Sequence, residues 1–283
     1  MSQRAARMPT STSLCDVRGY LFDVDGTLAL ADRHLSGYSL LPGARELLGL
    51  LRERGVPCAV FTNGTTKTPL QLSQALAAAG IEVDERHTLT PVSVAIDHFG
   101  KRGYRRILVL GVEGVWRPLV EAGFEVVRSP ERADDADAVL IGWHPDFGLG
   151  DIDAACRAVW GGAAHYTVSS APFFASRDGR TFGISGALAA AVRSVTGKRA
   201  IVLGKPSPRA LACASARLGV APAQMAVVGD DPSLESVMAL RGGAFSVGVH
   251  TGIGSARDFD RLPPRSRPHL SLTGIDRLLA MVA

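Results

Sequence analysis

An α/β fold with parallel sheets is predicted by two observations. Short apolar, β-branched runs alternate with helical stretches along the whole 283-residue chain, the pattern of strand–helix–strand crossovers. Several of those runs also end abruptly in acidic or polar residues, and strand ends of this kind line the ligand crevice of an open parallel sheet. Strands are expected at residues 19–24, 57–61, 106–110, 138–141, 165–168, 200–203, 225–228 and 244–249. Helices are expected between them at 43–54, 70–79, 92–99, 151–160, 186–196, 208–218 and 234–241, the second stopped by Gly80. A loop at 261–268 leads to a last short strand and helix.

The first strand carries the most informative feature. Asp23-Val24-Asp25-Gly26-Thr27 stands directly behind Tyr20-Leu21-Phe22. Residues two apart on a strand share a face, so two carboxylates are delivered together at the strand's carboxyl end, and Gly26 lets the chain turn. One carboxylate can attack an electrophile while the other moves protons, and both can lie near a cation.

Three further strand ends add to it. In Val60-Phe61-Thr62-Asn63-Gly64, Thr62 offers a hydroxyl and Asn63 an amide where a helix follows, so phosphate oxygens could be held there. In Val202-Leu203-Gly204-Lys205-Pro206, Lys205 can neutralise a phosphate or a nucleophilic carboxylate. The spacing is not that of a Walker loop. In Val227-Val228-Gly229-Asp230-Asp231, the hard oxygen donors suit Mg²⁺; Asp230 is expected as the ligand, with Asp231 and Glu235 supporting it.

Composition sets the bounds. Hydrophobic residues make up 46% and charged ones 20%, with a net charge of +4, ordinary for a globular chain. The basic residues are scattered and form no helix, tail or aromatic-basic stripe, so no nucleic-acid partner is expected. No apolar run reaches bilayer length, so no membrane role is expected. Residues 1–15 read as a disordered lead rather than a secretory signal. Cys15, Cys58, Cys156 and Cys213 form no paired spacing, which fits a reducing, cytoplasmic setting without zinc or disulfides.

Taken together, Asp23-x-Asp25-Gly26-Thr27, Thr62-Asn63, Gly204-Lys205-Pro206 and Gly229-Asp230-Asp231 resemble the four motifs of the haloacid dehalogenase-like hydrolases. The resemblance runs from the first strand to Val249-His250-Thr251-Gly252. It implies a doubly wound, Rossmann-like parallel sheet core with an inserted α/β cap. The second aspartate, Asp25, is the mark of the family's phosphatases. Thr62 follows Asp23 by only 39 residues, whereas Lys205 follows Thr62 by 143. The insertion therefore falls in the second interval, as in the type-two-capped NagD-like phosphatases. Pro42-Gly43-Ala44 and Ser185-Gly186-Ala187-Leu188 also resemble that subgroup. The implied division is a core of residues 16–84 and 184–283 with a cap at 85–183.

The resemblance implies a Mg²⁺-dependent phosphatase acting on a small phosphorylated metabolite. Asp23 would be the nucleophile, Asp25 the acid and base, and Thr62, Asn63 and Lys205 the phosphate holders. Asp23, Asp25 (through its carbonyl) and Asp230 would bind the metal. A weakly catalytic phosphate binder and a phosphotransferase or mutase of the same fold are the alternatives, and a homodimer is expected by analogy. The chain departs from the subgroup in two places: Glu235 stands where an aspartate is usual, and the Asn-x-Asp tract of the cap is replaced by Thr167-Val168-Ser169-Ser170-Ala171-Pro172. Candidate specificity residues are His144, beside Trp143, Pro145 and Asp146, together with Ser170 and Phe173, and with Phe174 and Arg177 at the same mouth. Trp116 and Trp160 are expected in the cap's core.

Overall fold

In a computed structural model of the chain, which describes residues 13–31, 37–176 and 179–283, two parallel sheets are stacked through a layer of helices. The core sheet has six strands in the spatial order Leu270–Leu272, Phe245–Val249, Met225–Gly229, Gly19–Phe22, Cys58–Phe61 and Thr88–Leu89, all parallel. Its central strand pairs Leu21 with Val227 on one side and with Ala59 on the other. The acidic ends of Gly19–Phe22 and Met225–Gly229 are thereby set side by side. The second sheet has five parallel strands in the order Ile201–Val202, Ala164–Thr167, Ala138–Ile141, Arg106–Leu110 and Glu125–Arg128. Two antiparallel hairpins complete the architecture, Ala29–Ala31 with Tyr38–Leu40 and Phe173–Ser176 with Gly179–Phe182.

Alternation along the strands sends successive residues to different layers. Phe22, Val60, Val228 and Val247 pack under Leu47 and Leu51 of helix Ala44–Glu53 and Leu278 of helix Ile275–Val282. Their neighbours Leu21, Ala59, Phe61 and Val227 face the other way. They join a cluster that continues through Val92, Ala95 and Phe99 of helix Pro91–Arg102 into Ile107, Val109, Leu140 and Tyr166 of the second sheet. The two sheets thus share one apolar layer. Phe99 meets Tyr166 edge-on at 4.9 Å, and burying each such ring contributes about 1.5–3 kcal/mol. The outer face of the second sheet is covered by helices Leu149–Trp160 and Ile184–Thr196.

Local sequence fixes the helix that follows the second core strand. Thr68 accepts the Gln71 N–H at 3.2 Å while Gln71 Oε1 accepts the Thr68 N–H at 2.9 Å. This reciprocal cap precedes Pro69, already helical in φ, and starts helix Pro69–Ala79.

The eight expected strands and seven expected helices are present, with ends displaced by at most three residues. Several elements were not anticipated. Helix Glu113–Glu121 carries Pro118 in its interior, which masks its periodicity. Strand Glu125–Arg128 is largely polar and Thr88–Leu89 is only two residues long. Helix Ala256–Arg261 leads into the expected loop, and a 3₁₀ turn at Pro264–Ser266 lies within it.

The expected cap limits also meet the sheets differently. Thr88–Leu89 pairs with the core strand Cys58–Phe61, while Ile201–Val202 and helix Ile184–Thr196 lie on the second sheet. Trp116 is partly buried beneath Arg128, 4.9 Å from its ring. Trp160, by contrast, is 61% exposed rather than in the cap's core, because Ala158 and Val159 take the buried face of that last helical turn and leave Trp160 on the other side. Among the described residues no helix is long and apolar enough to cross a membrane.

Candidate active site

The acidic strand ends open into a pocket whose floor belongs to the core sheet and whose roof comes from the second sheet. Asp23, Asp25, Thr62, Asn63, Lys205, Asp230, Asp231 and Glu235 all line it, so the four motifs, remote in sequence, meet in space.

Lys205 is the hub. Its ammonium is 3% exposed, paired with Asp23 Oδ1, 2.7 Å from Glu235 Oε1, and donates to the Phe61 carbonyl at 3.0 Å. Burial opposes its charge, but the Asp23 and Glu235 carboxylates outweigh that cost and raise its pKa above the ordinary lysine value. Asp23 Oδ2 accepts the Thr27 hydroxyl at 3.1 Å, so the carboxylate is held from both sides. Asp25 Oδ2 accepts the Thr62 hydroxyl at 3.2 Å, and Thr62 in turn accepts the Gly64 N–H at 3.0 Å. Burial first, then the nearby Asp23 charge, push the Asp25 carboxyl up to about 7.

Asp230 is 3% exposed and sits in a cradle of backbone. Its Oδ2 accepts the Ile253 N–H at 2.6 Å. A Cβ on Gly252 would lie 2.0 Å from that oxygen, and one on Gly26, whose φ is +92°, would lie 2.6 Å from it. Only glycine fits at either place. Burial and the charges of Asp23 and Glu235 raise the Asp230 pKa well above the carboxylate range, and burial raises Glu235 to about 7.

Four carboxylates around one buried ammonium leave an excess of negative charge in a poorly solvated place. Among the described residues no three His, Cys, Asp or Glu side chains are grouped to ligate a metal. The two carboxylates Asp23 and Asp230, with backbone oxygens beside them, are nevertheless hard donors that suit a hard divalent cation. Such a cation would offset both the cost of burying these carboxylates and their mutual repulsion, which together raise their pKa values.

Some expected roles differ from the geometry. The Asn63 side chain brackets Lys205: Oδ1 accepts the Lys205 N–H at 2.8 Å and Nδ2 donates to the Lys205 carbonyl at 3.1 Å. Its side-chain amide is therefore engaged with Lys205, and any hold on phosphate from Asn63 falls to its backbone N–H. Asp231 Oδ1 accepts the Ser233 N–H and hydroxyl at 2.7 and 2.6 Å, closing the turn at the pocket's rim. Glu235 touches Lys205 directly, and its second oxygen accepts the Asp231 N–H at 3.1 Å.

In the roof, Phe173 lines the pocket but His144 and Ser170 do not. His144 Nε2 pairs with Asp151 Oδ1 at 3.2 Å at the start of helix Leu149–Trp160, and Ser170 is exposed. The side chains of Phe174 and Arg177 lie outside the described residues. In place of His144 the pocket receives its neighbour Trp143, with Tyr38, Lys67 and Ser169. Trp143 lies two residues beyond the end of strand Ala138–Ile141. Tyr38 and Lys67 carry no local sequence signal.

Comparison with known proteins settles the ancestry. A family model described as haloacid dehalogenase-like hydrolase matches residues 20–125, and a second, HAD-hydrolase-like, matches residues 202–278. The sugar-phosphatase AraL of Bacillus subtilis is 30% identical over 224 residues, covering 78% of this chain and 78% of its own length. The chain belongs to the haloacid dehalogenase-like hydrolases. Within this hydrolase family, rat chronophin is 28% identical over 253 residues, 87% of this chain and 80% of that protein. The crystal structure of a 4-nitrophenylphosphatase from Thermotoga maritima superposes with a TM-score of 0.84 at 25% identity, covering 95% of this chain and 98% of that one. NagD from Escherichia coli, at 23% identity and a TM-score of 0.80 over 92% of this chain and 97% of its own, shares the fold. This hydrolase is thus NagD-like, with the Rossmann-like core and a cap.

Proposed function

We propose that this hydrolase removes phosphate from a small phosphomonoester with the help of Mg²⁺, through an aspartyl-phosphate on Asp23. The observation that carries the reading is the pairing of two differently held carboxylates in one pocket: Asp23 gripped by the Lys205 ammonium and the Thr27 hydroxyl, Asp25 beside Thr62 with its pKa pushed up by burial to about 7. A nucleophile and a proton donor need that difference.

Asp23 attacks phosphorus in line, and Asp25 protonates the departing oxygen. In the second half Asp25 takes a proton from the water that hydrolyses the acyl phosphate. Lys205 and Thr62 hold the transferring oxygens, with electrostatic stabilisation as the larger contribution. Asn63 keeps the Lys205 backbone in place. Mg²⁺, held by Asp23, Asp230 and the Asp25 carbonyl, would supply charge neutralisation between the phosphate and the carboxylates. The free cysteines support a reducing, cytoplasmic setting. The relatives' names cover different esters, sugar phosphates for AraL and 4-nitrophenyl phosphate for the T. maritima protein.

The test is hydrolysis of 4-nitrophenyl phosphate with Mg²⁺ and with EDTA, in the wild type and in Asp23→Asn. Metal-dependent turnover that vanishes in the variant is expected. Turnover unchanged in Asp23→Asn would refute the mechanism.

A further inference from the structure

The loop that leaves core strand Cys58–Phe61 serves both halves of the pocket. Its first residues, Thr62 and Asn63, stand at the acidic floor, while Thr65 reaches the roof. Thr65 is 1% exposed, and its Oγ1 accepts the Trp143 N–H at 3.1 Å, from 78 positions further along the chain.

Trp143 stands where strand Ala138–Ile141 runs out over the pocket. The second sheet holds one edge of its backbone. The Gly142 N–H donates to the Leu110 carbonyl at 2.8 Å, and the Trp143 carbonyl accepts the Val112 N–H at 2.9 Å. The core holds the other edge through Thr65. Backbone fixed on both sides gives the attached ring one place to stand.

A second contact joins the same loop to the same roof. Helix Glu113–Glu121 begins directly on the loop's backbone: a Cβ on the buried Gly114 would lie 2.5 Å from the Thr65 carbonyl oxygen and 2.7 Å from that of Lys67. Those neighbours are main chain, so they cannot swing aside as the end of a side chain can. A methyl there would lift the roof from the floor.

We propose that Thr65 is a positioning residue: it registers the roof on the core and so sets where the Trp143 ring stands above a phosphate held by Thr62 and Lys205. This role rests on the phosphatase reading and acts within it through Trp143, not on the phosphoryl group. A leaving group that extends from the phosphate toward the roof feels the register. Inorganic phosphate, held by core residues, does not.

Thr65→Val keeps the branched shape and removes the acceptor, whereas Thr65→Ser keeps the acceptor. One lost hydrogen bond is worth about three- to tenfold in affinity. The KM for 4-nitrophenyl phosphate should rise by that factor in Thr65→Val and return toward the wild-type value in Thr65→Ser, with inhibition by inorganic phosphate unchanged in both. Gly114→Ala, which wedges the same contact from the other side, should raise KM in the same selective way. In a Trp143→Ala background Thr65→Val should add little, because the ring through which Thr65 acts is gone.

Phosphate inhibition that weakens in step with KM would place Thr65 on the phosphate loop itself. Full additivity with Trp143→Ala would leave it a structural residue, and a KM unmoved in both Thr65→Val and Gly114→Ala would mean that the register is set elsewhere. Each of these results overturns the proposal. Failure of the phosphatase reading shows separately, as 4-nitrophenyl phosphate turnover that survives Asp23→Asn.

Discussion

Asn63→Ala tests whether this residue grips Lys205 or phosphate. The side chain makes two hydrogen bonds to the Lys205 backbone, at 2.8 and 3.1 Å, and Lys205 is buried. Each bond is worth about 1 kcal/mol net, and a buried backbone group left without a partner costs about 1–3 kcal/mol. Removing both should therefore destabilise the protein by about 2–4 kcal/mol. For a chain of this size that corresponds to a fall in Tm of roughly 3–7 °C. Asn63→Asp retains the acceptor for the Lys205 N–H but sets a carboxylate oxygen against the Lys205 carbonyl in an already acidic pocket, so it should lose at least as much. The assay is thermal unfolding of the three proteins alongside inhibition by inorganic phosphate. A Tm within about 2 °C of wild type, together with weakened phosphate inhibition, would refute the bracket and restore a direct phosphate role.

Three further outcomes are expected. Lys205→Met removes the one cation between Asp23 and Glu235 and should destabilise the protein by about 3–5 kcal/mol, as breaking a buried ion pair does; denaturant unfolding that matches wild type would contradict the role of Lys205 as the charge hub. Gly252→Ala places a methyl against Asp230 Oδ2, so the variant should need more Mg²⁺ for half-maximal activity, and an unchanged Mg²⁺ requirement would remove Asp230 from the metal site. Mg²⁺ itself should raise the Tm, by about 2.7 kcal/mol of added stability at a hundredfold excess over Kd, with EDTA reversing the shift. A Tm indifferent to both would argue that no cation binds.

The core of the site was legible because the chemistry needs particular residues at strand ends. Asp23, Asp25, Thr62, Lys205 and Asp230 each interrupt an apolar run, and a parallel sheet brings such ends together. The role of Asn63 was less legible, since a hydrogen-bond partner 142 positions away leaves no local trace. The His144 expectation failed by one residue. Trp143 turns into the pocket and His144 turns to Asp151, a difference of side that alternation allows and spacing along the chain does not resolve. Trp160 shows the opposite limit, because a large apolar residue is no proof of burial. Short or polar strands such as Thr88–Leu89 and Glu125–Arg128 exist through their neighbours in the sheet rather than through their own propensity.

Glu235 shows how the departure from the usual aspartate is absorbed. A glutamate reaches one methylene further, and that extra length must go somewhere in a packed interior. The space comes from Gly229, where a Cβ would lie 2.0 Å from Glu235 Cγ and 2.5 Å from its Cβ. The side chain folds across that bare backbone. One oxygen then reaches Lys205 at 2.7 Å, while the other accepts the Asp231 N–H at 3.1 Å. The same carboxylate thus anchors the ammonium beside the nucleophile and fixes the turn that carries Asp230. Because Lys205 is shared between Asp23 and Glu235, its single charge cannot offset both fully, and at Asp25 and Asp230 it opposes the upward shift without overcoming it. The excess negative charge is what makes a bound cation favourable here, and the glycines at 26, 229 and 252 are what let the carboxylates crowd closely enough to create it.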